Sequence, residues 1–168
     1  MATGALDANG IWQYGEDDSE TTFSALLNKL ASSTSTQIAS NKTAGRVLQT
    51  VSANYQTSVS TTSTSYVTSN LTVTITPKYS TSKILVMASN NIDAAYYGIS
   101  TIFRNSTDLD NRIHTTAGAF SVNLMSYDSP ATTSAVTYSY RIRSLNGQIV
   151  YAQSNGCKAN ITVMEISA

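Results

Sequence analysis

Apolar and polar positions along this chain follow two different periods, and the change falls near residue 45. Before it, Phe23, Leu26, Leu27 and Leu30 recur at i, i+3, i+4 and i+7, the apolar stripe of a helix. Asp17, Asp18 and Ser19 precede the stripe as capping side chains, so the spacing predicts a helix over about 19–31. A helix of roughly three turns is marginal in water on its own, so the stripe needs a surface to pack on. The short stretch of Ile11, Trp12 and Tyr14, set among Gly4, Gly10 and Gly15, needs one for the same reason. Residues 31–44 are rich in Ser and Thr and read as a spacer.

Beyond residue 45 the period becomes two. In the run from Ser65 to Thr76, Leu71, Val73 and Ile75 fall on one side and threonines on the other, the alternation of a half-buried strand. Residues 82–89 read as a fully apolar central strand. Tyr97, Ile99, Thr101 and Phe103 alternate in the next run, residues 119–127 repeat the pattern, and Val136, Tyr138, Tyr140 and Ile142 share a face in another. Asn146-Gly147 and Asn155-Gly156 each stand between apolar runs, the strongest local signal for a hairpin. Pro77 and Pro130 lie between runs, where a sheet tolerates them. Eight or nine strands without intervening helices predict an antiparallel β-sandwich of jelly-roll type over 46–168, with a closed up-and-down barrel as the alternative. The expected organisation is an attachment segment, 1–45, joined to this β domain.

Composition sharpens the picture. Charged residues make up 12% of the chain, about half the usual share, so the wet faces of the strands are built from hydroxyls and amides. Asp7, Glu16, Asp17, Asp18 and Glu20 crowd the first 30 residues against Lys29 alone, while the basic residues further on are scattered. That scatter is unlike a nucleic-acid surface. Cys157 is the only cysteine, which excludes an intramolecular disulfide and any multi-cysteine zinc site. No apolar run reaches the ~18 residues of a membrane helix, and the start of the chain has neither the basic residue nor the apolar run of a secretory signal. Neither nucleic acid nor membrane insertion is expected.

Candidate chemistry is thin. His114 is the one histidine and has no acid within a few residues. Asp108 and Asp110 are spaced as in a weak calcium loop, without the glycine and terminal glutamate such a loop needs. Asp93, Asp108, Asp110, Asp128 and Glu165 are the acids from which a hydrolytic pair would be drawn. No catalytic residue, cofactor or metal site is assigned. The ten tyrosines are the remaining signal, and the adjacent Tyr96 and Tyr97 are the candidate recognition residues, since exposed Tyr gives large contact area with a polar tip.

Two parts of the chain resemble small virion proteins of tailed bacteriophages. Residues 4–30, GALDANGIWQYGEDDSETTFSALLNKL, look like the N-terminal attachment segment of minor tail and tail-fibre proteins. The runs RVLQTVSANYQTSV, LTVTITPKYSTSKILV and DSPATTSAVTYSYRI, with the ending NITVMEISA, look like the small β domain that closes such chains. The resemblance implies a non-enzymatic structural protein, a homotrimer assembled in the host cytoplasm into a virion. Ile11, Trp12, Tyr14, Phe23, Leu26, Leu27 and Leu30 would dock it to a tail protein or the major capsid protein, and the β domain would face a host-surface glycan or protein. A short tail appendage is the first expectation, a capsid decoration protein the second, and a small glycan hydrolase the third.

Overall fold

The structure is a computed structural model that describes residues 5–6, 12–13, 25–33 and 44–168. The chain divides into two units, Met1–Thr43 and Ala44–Ala168. In the first, β1 (Ala5–Leu6) pairs antiparallel with β2 (Trp12–Gln13), which sets Leu6 opposite Trp12. The described helix, α1, covers residues 25–33, two residues past the predicted end. Leu26 is half-buried, and Leu27 and Leu30 are exposed. Ile11, Tyr14, Phe23 and the predicted helix start lie outside the described residues.

The second unit holds eleven strands: β3 (Val47–Tyr55), β4 (Val59–Thr61), β5 (Val67–Ile75), β6 (Lys83–Ala94), β7 (Gly98–Arg104), β8 (Thr107–Asp108), β9 (Ile113–Thr115), β10 (Gly118–Asp128), β11 (Val136–Ser144), β12 (Val150–Ala152) and β13 (Ala159–Ile166). Every pairing is antiparallel. The larger sheet is organised around β6, which pairs with β10 along one edge from Ile84 to Ala94. Its other edge is shared, β13 taking Lys83–Ser89 and β12 taking Ile92–Ala94. Outside these lie β3, on β13, and β4, on β12. The smaller sheet runs β5-β11-β7, with β8 and β9 both on the far edge of β7.

The two sheets face each other across an apolar core. From the smaller sheet come Leu71, Val73, Ile75, Ile102, Val136, Tyr138, Tyr140 and Ile142, and from the larger Ile84, Val86, Ile92, Val122, Val150, Ile161 and Val163. Each side chain of Val, Ile or Leu size taken fully out of water contributes about 1.5–3 kcal/mol, which is what holds two thin sheets together. The unit is therefore an antiparallel sandwich, as the alternation of Leu71, Val73 and Ile75 and of Val136 to Ile142 predicts.

Three local readings are corrected. The strand over 82–89 is central, but it is not apolar on both faces: Ile84, Val86 and Ala88 are buried, while Leu85 and Met87 are half-buried on the open face. Asn146-Gly147 does not make a hairpin, because β11 belongs to one sheet and β12 to the other. The hairpin turn needs left-handed backbone at both central residues, and here only Gly147 has it, at φ 80°. Instead, the Asn146 side chain accepts from the Gln148 N–H at 3.4 Å and turns the chain across the sandwich. Asn155 and Gly156 are both left-handed, at φ 56° and 69°. Yet the strands they join lie end to end along the same edge of β6. From Ala152 to Asn160 the chain advances eight residues while β6 advances three, from Ile92 to Ser89, so the pair closes an excursion within one interrupted strand. Asn90, buried in the core, pins that excursion by accepting from the Gln153 N–H at 3.0 Å.

Candidate functional site

The strand directions give the sandwich a base and a tip. At the base, the Gly45 N–H donates to the Ser167 carbonyl at 2.8 Å and the Ser167 N–H to Arg46 at 2.9 Å, so the chain enters the unit beside the Lys83 end of β6. The 12 residues of β6 then span roughly 35–40 Å to the other end. There the connections β4–β5, β6–β7, β9–β10 and β11–β12 all cross between the sheets.

Three of these loops are tied into one tip by hydrogen bonds. The Leu145 N–H donates to the Tyr97 carbonyl at 3.1 Å, Ala95 to Ile149 at 3.0 Å and Ser144 to Ser63 at 2.8 Å. Gly98 is required where the tip joins β7, since a Cβ there would meet Thr115 Oγ1 at 2.8 Å and Val150 Cγ1 at 3.1 Å. On this support sit Tyr96 and Tyr97, in the β6–β7 loop rather than on a strand. Their rings pack edge to face, 4.3 Å between centroids at 71°. Tyr96 is 51% exposed, and Leu145 and Tyr151, 45% and 37% exposed, are also open to solvent at this end, as is Phe120 near the start of β10. Tyr151 stands out in the sequence only as one of ten tyrosines, and Leu145 not at all. For Leu145 the available signal was an apolar residue placed directly before an Asn-Gly turn, where nothing in the turn buries it.

One flank of the tip, on the outer face of the smaller sheet, carries a stack of aromatic and guanidinium groups. The Tyr66 and Phe103 rings meet edge to face at 5.4 Å. Arg143 lies over Tyr66 with its Cζ 5.1 Å from the ring centroid, and Arg141 over Phe103 at 4.2 Å. The outer face of the larger sheet is different in kind. A depression of about 390 Å³ there is lined by Met87, Ser89, Asn123, Met125, Asn160 and Thr162, with no charged side chain on its wall.

Four of the acids singled out by sequence are tied to neighbouring donors. Glu165 is fully buried at the base, where it accepts from Gln49 Nε2 at 2.6 Å, the Lys78 N–H at 2.7 Å and the Tyr79 N–H at 3.3 Å. Burial pushes its carboxyl up, but the hydrogen bonds from Gln49, Lys78 and Tyr79 outweigh that and hold it below the ordinary range. Asp128 accepts from Arg104 at 2.8 Å and from the Tyr138 hydroxyl at 2.7 Å. Burial first, and then this bond to Asp128, push that hydroxyl far above the ordinary phenol range. Asp108 and Asp110 both pair with Arg112, at 2.9 and 3.0 Å. The Asp108 carboxyl, raised by burial, is brought below its ordinary value by Arg112, the Asp110 N–H and Thr101. Asp93 stands on the outer face opposite Tyr151. His114 lies in a second depression, of about 280 Å³, with Ile113, Phe120 and Ser121 and no acid on its wall. Among the described residues no cluster of three or more His, Cys, Asp or Glu is placed to hold a metal ion, and no helix is long and apolar enough to cross a membrane.

No family model matches the chain, and no curated protein matches it. Among solved structures it is similar to the "EclA C-terminal domain; sugar-binding protein", at 11% identity over 67% of this chain and 78% of that one, with a TM-score of 0.38. It is also similar to a de novo designed double-stranded β-helix, at 13% identity over 70% and 95%, with a TM-score of 0.19. Both scores are low, and the fold described above stands on strand pairing alone.

Proposed function

We propose that the chain is a non-enzymatic structural protein of a tailed-phage virion, a short trimeric tail appendage. In this reading the first unit docks to the particle and the second presents its tip to the host surface. The observation that carries it is the polarity of the second unit: the chain enters at the base, beside Ser167, while Tyr96, Tyr97, Leu145 and Tyr151 are gathered at the opposite end. An attached module with its contact residues at the far end is built for display. Tyrosine rings suit the task, because each offers an apolar face to a sugar ring or side chain and a hydroxyl at its edge. The exposed Leu27 on α1 supports the docking half of the reading.

The test is made on particles. The chain should be found in purified virions at the low copy number of a tail part, and Leu27→Asp should remove it while the purified variant keeps the spectrum of a folded β protein. A virion carrying Tyr96→Ala with Leu145→Ala should assemble but adsorb poorly. Many copies spread over the capsid would make the chain a decoration protein instead, and particles without the chain would end the virion reading. The trimer is checked separately, by the mass of the purified full chain in light scattering.

A further inference from the structure

We propose that Arg141 and Arg143 form an anion-binding arm beside the tip, taking an oxyanion group carried by an acidic polysaccharide. The two residues stand two apart on β11, so both side chains project from the outer face of the smaller sheet. Neither guanidinium is paired with an acid among the described residues, whose ion pairs join Arg104 to Asp128 and Arg112 to Asp108 and Asp110. The neighbouring loop turns both its acids toward Arg112, and neither Asp108 nor Asp110 forms an ion pair with Arg141 or Arg143.

What holds the two arginines is neutral. Arg141 donates to the Ser139 hydroxyl at 3.2 Å and the Asn105 carbonyl at 3.0 Å, and Arg143 donates to the Thr64 carbonyl at 3.1 Å. The Nε of Arg143 is buried with no acceptor. Stacking on Phe103 and Tyr66 fixes each guanidinium plane, so the ordering that a free arginine undergoes on binding has largely occurred already. Several N–H donors on each fork stay unused, and a sulfate or carboxylate matches that donor geometry.

The stack also narrows the ligand. Phe103 and Tyr66 already carry a guanidinium and pack on each other, so no open aromatic platform is offered to nucleic-acid bases. The ligand is held by its charged group and not by ring stacking. The choice of a polysaccharide as carrier rests on the reading of the tip as a host-surface contact, whereas capture of the anion does not.

The experiment is calorimetric titration of the full chain with dextran sulfate, unsulfated dextran, inorganic sulfate and a single-stranded oligonucleotide. Dextran sulfate should bind, more weakly as salt rises, and unsulfated dextran should not. Each arginine replaced by glutamine should weaken binding about tenfold, while Lys158→Gln, remote from the stack, changes nothing. R141K/R143K keeps both charges but loses the forks, and should fall between the parent and the glutamine pair. The Arg Nε–H resonances of the unaltered chain should shift on adding dextran sulfate, a readout that needs no variant to fold. Unmoved resonances, or full binding by a folded R141Q/R143Q, would overturn the arm. Oligonucleotide or inorganic sulfate binding as tightly as dextran sulfate would overturn the polysaccharide as its ligand. Adsorption lost with Tyr96→Ala but kept with R141Q/R143Q would overturn a host-surface polysaccharide as the arm's ligand and leave the display reading standing.

Discussion

At the base of the sandwich Ile84 stands between two buried acids, opposite Asp128 on β10 and opposite Glu165 on β13. At the tip the same two layers are closed by backbone hydrogen bonds between loops, and tyrosines, a leucine and a phenylalanine there are open to water. The difference teaches that the buried charge of this unit is tied into the closure of its base, where Glu165 and Asp128 are each held by several donors. A carboxylate ringed by donors fixes geometry strongly and is costly to disturb. A tip of loops on a finished core can change its surface at small cost to the fold, which is the arrangement binding surfaces use.

The sharpest way to break the comparison is Glu165→Ala, which takes the acceptor from the Lys78 and Tyr79 N–H groups and leaves Gln49 Nε2 only the Thr76 carbonyl. A loss of about 3 kcal/mol is expected, read as a lower urea midpoint. Next comes Tyr138→Phe, which takes one donor from Asp128 and should cost about 1–2 kcal/mol in the same assay. Acid makes a further test. Glu165 and Asp108 both sit below their ordinary values when folded, so the unfolded chain holds their protons more tightly. Their stabilisation is complete above the ordinary values, 3.8 for Asp108 and 4.5 for Glu165, and is lost as pH falls through the lower folded ones. The urea midpoint should therefore drop between pH 6 and pH 3, and Glu165→Gln should flatten part of that drop. The smallest effect belongs to the tip: Tyr96→Ala should change stability by less than about 1 kcal/mol, the worth of one edge-to-face ring contact, while adsorption falls. If it costs as much as Glu165→Ala, the tip is as structural as the base and the contrast fails.

The contrast was only partly legible along the chain. Residues that alternate within one strand announce their own burial, so Leu71 to Ile75 and Val136 to Ile142 can be read locally. Glu165 cannot, because its donors lie 87 and 116 residues away in sequence and nothing beside it marks the meeting. The two Asn-Gly pairs mislead for a related reason. They specify that the chain turns, but which strands flank the turn is decided by the partner edge, and β6 recruits β12 and β13 in line. Asn70, left-handed at φ 63° inside β5, marks an irregular register against β11 that the Thr and Val alternation hides. Tyr96 and Tyr97 stood out by adjacency, whereas Arg141 and Arg143 read as ordinary strand positions until Tyr66 and Phe103 are brought beneath them.

The pairing of β3 with β13 joins residues such as Ser52 and Thr162, 110 positions apart, through hydroxyls 2.9 Å from each other. That neighbourhood sets a schedule for synthesis. A chain leaving the ribosome makes β3 early and has no partner for it until Ala159–Ile166 has emerged, because β13 is the strand that lies between β3 and β6. The larger sheet is completed only after translation of this unit is nearly done, and so many distant contacts make for slow folding. During that interval β3 is an open edge, the feature most prone to pair with another nascent copy. Chains growing side by side on one message therefore have time to find one another before any of them has finished folding.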